Sequence, residues 1–81
     1  MSYVYIILCK DESFYTGISV NPQRRFLDHK SGKGGRYTRS RKVQKIIYLE
    51  ELPTKSLALK RERQIKGWSR EKKIRTLKLD L

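Results

Sequence analysis

Tyr3-Val4-Tyr5-Ile6-Ile7-Leu8-Cys9 is followed by Lys10-Asp11-Glu12-Ser13 and then by Phe14-Tyr15-Thr16-Gly17-Ile18. These first seven residues are β-branched, aromatic or otherwise apolar without a break, the pattern of a strand buried on both faces. The polar tetrapeptide contains Asp11, a turn former. The third segment returns to strand composition, so the two runs form a β-hairpin. Turn length then decides where every side chain points, because a one-residue slip in register inverts the faces. A two-residue turn at Asp11-Glu12 pairs Lys10 with Ser13, sets Tyr15 opposite Leu8 and sends Tyr5 and Tyr15 to opposite faces. A three-residue loop over residues 10–12 pairs Cys9 with Ser13 and sets Tyr15 opposite Ile7. Both tyrosines then share a face, one two-residue step or about 7 Å apart along the strand.

Beyond the hairpin, Asn21 can cap a helix whose first position is Pro22, running through Lys30 and ending near Gly32. Residues 31–40 hold three glycines among basic residues and read as a mobile loop. Val43–Leu52 contains Ile46-Ile47-Tyr48-Leu49, a third strand that Pro53 stops. Thr54 caps a second helix to about Gly67, with an apolar stripe of Leu57, Ala58, the stem of Arg61, Ile65 and Trp68. Ser69 caps a short third helix carrying Ile74, Leu77 and, at its far end, Leu79. Phe26 and Trp68 read as core. The expectation is one domain over residues 1–81, of α+β class, in the order β-β-α-β-α-α, with helices flanking a small three-stranded antiparallel sheet.

Lys and Arg number 20 against 8 acidic residues, a formal net charge of +12 in 81 residues. Folding gains nothing from that excess, which costs self-repulsion. A polyanionic partner offsets the cost, and nucleic acid is the usual one, with counterion release adding affinity. An anionic membrane surface is the competing explanation. No apolar run is long enough to span a bilayer. The single cysteine, Cys9, cannot form an internal disulfide, and Met1 leads into a strand with no signal-peptide pattern, so a cytoplasmic protein is expected.

The chain carries no phosphate-cradling glycine motif, no Cys/His zinc set and no Ser/His/Asp triad candidate. Catalysis, if present, falls to tyrosine, arginine, the one histidine and a carboxylate. Tyr5 and Tyr15 lie in the hairpin. Arg25 and His29, four residues apart, share a helix face. Glu62 stands in the basic run Lys60-Arg61-Glu62-Arg63. Taken singly, each has a plain reading: tyrosine favours sheets, Arg25 is one of many cations, and Glu62 can pair with Lys66 at i,i+4. Lys33, Arg36, Arg39, Arg41 and Lys42 read as contacts to a nucleic-acid backbone, and Tyr37 as a platform on which a base could stack.

Taken together, these residues resemble the GIY-YIG nuclease family, in particular its small single-domain UPF0213 (YhbQ-like) members. The resemblance covers nearly the whole chain. The first half-motif is Val4-Tyr5-Ile6 and the second Tyr15-Thr16-Gly17. The catalytic arginine, ten residues after the second tyrosine, falls on Arg25. The tyrosine or histidine four residues later falls on His29, and the metal-binding glutamate falls on Glu62. Residues 31–38, Ser-Gly-Lys-Gly-Gly-Arg-Tyr-Thr, look like the loop of this subgroup. Val4 stands where the first half-motif begins with glycine, and Ile18 where a lysine is often found. Asn21 does not match the asparagine that supports the site in some members.

The resemblance implies a GIY-YIG fold and a metal-dependent endonuclease that hydrolyses DNA phosphodiesters, with branched or damaged DNA in repair as substrate. Its catalytic residues would be Tyr5, Tyr15, Arg25, His29 and Glu62, with Glu62 holding Mg2+ or Mn2+. Tyr5 would be the general base or water-positioning group, with Tyr15 next. The alternative is a nucleic-acid-binding module with the same fold and little catalysis. A third reading, an RNA- or ribosome-associated protein, rests on charge alone. One domain of this size offers little surface for base readout, so specificity would come from DNA shape or from a protein partner.

Overall fold

The hairpin takes the three-residue loop. A computed structural model describes the backbone from Met1 to Leu81 and every side chain except those of Tyr37 and Arg39. Strand β1 (Ser2–Cys9) and strand β2 (Phe14–Ser19) pair antiparallel with Ile7 opposite Tyr15 and Tyr5 opposite Gly17. The Cys9 N–H donates to Ser13 O at 2.9 Å, and the Glu12 N–H to Cys9 O at 2.9 Å. Glu12 adopts φ of 70°, the left-handed residue with which a three-residue hairpin loop closes. The Asp11 carboxylate accepts from the Ser13 N–H at 3.0 Å and stiffens the turn from outside.

Strand β3 (Val43–Leu52) pairs antiparallel with the other edge of β1, giving the order β2-β1-β3. The central position of β1 explains its unbroken apolar sequence, because both of its faces are covered. Val4 and Ile6 point one way and pack with Ala58 and Ile65. Tyr5, Ile7 and Cys9 point the other way and pack with Val43, Tyr15 and Phe26. Val4 is fully buried, so a glycine there would leave a void in the first of these layers. Ile18 packs in the same layer, where a lysine would have to bury or redirect its ammonium.

Helix α1 (Pro22–Lys30) starts where Asn21 Oδ1 accepts from the Arg24 N–H at 3.2 Å. Helix α3 (Lys55–Lys66) is capped by Thr54, whose hydroxyl accepts from the Leu57 N–H, and helix α4 (Arg70–Thr76) by Ser69. The fold is the expected α+β arrangement of a three-stranded antiparallel sheet flanked by helices. Among the described residues no helix is long and apolar enough to cross a membrane.

Two local expectations are corrected. The glycine-rich segment is not a plain loop: a short helix, α2 (Arg36–Arg41), forms inside it. Gly35, at φ of 130°, starts it and Lys42, at φ of 56°, stops it. Six residues are too few to hold a helix by local bonds alone, and this one is held by its docking on α1. Leu57 does not belong to the buried stripe of α3 and is 45% exposed. It lies about 100° around the helix from Ala58 and borders a shallow groove with Leu52, Arg61 and Gln64.

Candidate active site

Because β1 and β2 take the second register, Tyr5 and Tyr15 lie on one face of the sheet, with ring centroids 6.3 Å apart. Gly17, directly opposite Tyr5, makes room for the phenol. A Cβ at Gly17 would lie 2.7 Å from Tyr5 Oη and 3.2 Å from the Tyr15 ring. The glycine of the Tyr15-Thr16-Gly17 half-motif therefore has a steric reason: the Tyr5 ring lies across it.

Helix α1 covers this face and supplies the next two groups. His29 is 1% exposed, and its Nε2 lies 3.2 Å from Tyr5 Oη. Its ring centroid is 6.2 Å from that of Tyr5 and 4.8 Å from that of Tyr15. Arg25, one turn earlier on α1, is half-buried. It donates from Nη2 to Gly34 O at 3.1 Å and approaches Asp28 Oδ2 at 3.8 Å. The two phenols, the imidazole and the guanidinium thus form one cluster between α1 and the sheet.

Burial sets the electrostatics of the cluster. It pushes the Tyr5 phenol up to about 12, with the neighbouring Tyr15 and Glu62 adding to the rise. Arg25 opposes them with its positive charge. Burial also lowers the His29 pKa, and the Arg25 charge lowers it further against the pull of Asp28. Near neutral pH the site therefore holds a protonated phenol beside a neutral imidazole.

Glu62 comes from α3, on the other side of the sheet. Its side chain is 15% exposed and pairs with Lys66 Nζ at 3.5 Å, so the ordinary i,i+4 pair is present. The carboxylate still acts on Tyr5 through its charge. Among the described residues no three His, Cys, Asp or Glu side chains gather as a metal cage. A lone carboxylate fits a hard divalent cation that keeps most of its waters and completes its shell with substrate phosphate.

The basic residues of the glycine-rich segment are distributed less simply. Lys33, Arg36 and Lys42 are exposed. Arg41 forms an ion pair with Asp11 at 2.7 Å and so helps to tie α2 to the hairpin loop. The side chains of Tyr37 and Arg39 lie outside the described residues.

Two residues of the cluster had no role in the sequence reading. Thr38 is 1% exposed, and its Oγ1 lies 2.6 Å from His29 Nδ1. Gly34 packs so closely on the imidazole that a Cβ there would sit 2.0 Å from Nδ1. No spacing rule points to either, since both meet His29 through a chain reversal rather than along an element.

Comparison with known proteins places the chain in a family. The GIY-YIG catalytic-domain profile matches residues 1–75. A UPF0213 protein of Staphylococcus saprophyticus is 44% identical over 93% of this chain and 92% of its own length. One from Haloquadratum walsbyi is 46% identical over 88% of this chain and 80% of its own. The solution NMR structure of a UPF0213 protein from Bacillus halodurans superposes with a TM-score of 0.61 at 40% identity, covering 96% of this chain and 84% of that one. An NMR structure of a protein from E. faecalis does so at 0.66 and 41% identity, with the same coverage. The chain belongs to the GIY-YIG family.

Proposed function

We propose that this protein is a divalent-metal-dependent endonuclease that hydrolyses DNA phosphodiester bonds. The family is a nuclease family, and the observation that carries the reading is the gathering of Tyr5, Tyr15, Arg25 and His29 on one sheet face. Arg25 presents a planar fork of donors suited to phosphate oxygens. Burial divides the phenols. Tyr15 is partly exposed and is the one that meets substrate and positions the attacking water, whereas Tyr5 is 1% exposed and holds its neighbours in place from behind. Glu62 is the residue that would hold the metal ion, which when bound supplies positive charge to the phosphate as negative charge builds there. Exposed Lys33, Arg36 and Lys42 would follow the backbone, with a partner or DNA shape giving specificity.

A nuclease panel tests this: plasmid, single-stranded, flap and junction DNA with Mg2+ or Mn2+, for wild type and Glu62→Ala. Cleavage that the variant loses while still binding DNA supports the reading. Binding with no cleavage of any substrate, unchanged in Glu62→Ala, makes the protein a binding module instead.

A further inference from the structure

Thr38 lies in the middle of α2 with its hydroxyl 2.6 Å from His29 Nδ1, while His29 Nε2 lies 3.2 Å from Tyr5 Oη. A neutral imidazole carries a single N–H, so the row Thr38–His29–Tyr5 can run in only two directions. In one, the Thr38 O–H donates to Nδ1 and the Nε2–H donates to the phenol oxygen. In the other, the Tyr5 O–H donates to Nε2 and the Nδ1–H donates to Thr38 Oγ1.

Two features favour the second direction. Arg25 has donors only and its positive charge acts on the same phenol, which favours the phenol oxygen toward the guanidinium and the phenol proton toward Nε2. Thr38, in turn, borders a cavity of about 500 Å3 that Lys10, Lys30 and Lys42 also line. A threonine inside a helix can also donate to the backbone carbonyl three or four residues earlier, so no buried donor is stranded.

We propose that Thr38 is a positioning residue that fixes His29 as the Nδ1-protonated tautomer and so keeps the Tyr5 oxygen, rather than its proton, turned toward Arg25. Which imidazole nitrogen carries the proton is set by the hydrogen bond the other nitrogen makes. Without an acceptor at position 38 the imidazole reverses. The phenol then accepts from His29 and turns its own O–H toward the guanidinium, where a donor meets a donor. Arg25 then loses the attraction of that oxygen. The geometry stands by itself, and its consequence for cleavage rests on the nuclease reading.

The test is the 15N NMR spectrum of the His29 ring in metal-free protein, for wild type, Thr38→Val and Thr38→Ser, with cleavage kinetics in parallel. Expected are Nδ1 protonation in wild type and Thr38→Ser, Nε2 protonation in Thr38→Val, and kcat lower by about 10- to 100-fold in Thr38→Val alone with KM little changed. Nε2 protonation in the wild type, or an unchanged tautomer in folded Thr38→Val, overturns the assignment. An Nδ1-protonated wild type that cuts no substrate sustains the assignment of Thr38 and overturns the nuclease reading.

Discussion

The two faces of β1 carry opposite chemistry. Val4 and Ile6 face α3 in a layer built mainly of aliphatic and aromatic contacts with Ala58, Ile65, Ile18 and Trp68. Tyr5, one residue between them, faces α1 and enters a row of polar contacts that runs through His29 to Thr38. Strand alternation thus lets one segment anchor the fold on one side and contribute to the candidate site on the other. Substitutions on the two sides are therefore expected to fail in different ways.

The sharpest contrast pairs Arg25→Ala with Ile6→Ala. Arg25→Ala is expected to lower cleavage by at least about 100-fold through loss of a donor to the reacting phosphate, with little change in melting temperature. Ile6 is fully buried, so Ile6→Ala should cost about 2–5 kcal/mol of stability, measured by denaturant unfolding, while the remaining folded protein cuts at the normal rate. If Ile6→Ala inactivates protein that is still folded, the faces are not independent.

Next in size is Gly17→Ala. The added Cβ would lie 2.7 Å from Tyr5 Oη and must displace the phenol or the strand. Cleavage should fall by about 10-fold or more, since small misplacements in such a site are costly. The His29 ring resonances, which report the contact with Tyr5, should shift with it.

A smaller effect is set by pH. The folded-state pKa of His29 lies below its unfolded value, so the unfolded chain binds more protons there. Its contribution to stability is complete above the unfolded value of about 6.5 and is lost as pH falls through the lower folded value. Tyr5 has the opposite sign: raised to about 12, it costs stability as pH climbs from about 10 toward that value. Thermal unfolding across pH should show the acid slope diminished in His29→Gln and the alkaline slope diminished in Tyr5→Phe.

The smallest expected effect is on the apolar side. The Thr16 hydroxyl is buried there with no hydrogen-bond partner among the described residues. Thr16→Val should therefore be neutral or stabilising by up to about 1 kcal/mol. A clear loss of stability would mean that this layer also depends on a polar contact.

Much of this was legible in the sequence because the signals are local. The unbroken apolar run marked β1 as central, and Asn21, Thr54 and Ser69 marked their helix starts. Counting hairpin residues reduced the placement of Tyr5 and Tyr15 to two registers, and the closing bond from Cys9 to Ser13 selects the one that joins them. The spacing of four between Arg25 and His29 placed both on one face of α1. What escaped depends on the chain turning back on itself. Helix α2 is short and strongly basic, and it is held by the contact of Thr38 with a histidine nine residues earlier. The close approach of Gly34 to His29 is likewise invisible until residues 31–35 fold over α1. The exposure of Leu57 was missed for a different reason: its 100° offset from Ala58 is small enough to read as one stripe.

The most direct measurement is the rate at which wild type and Tyr15→Phe cut the same labelled DNA in Mg2+, both proteins first shown to be folded and to bind it. The account predicts measurable cutting by wild type and a rate lower by about 100-fold once the phenol oxygen that meets the water is removed. Equal rates in the two proteins, or wild type that binds without cutting, would contradict it.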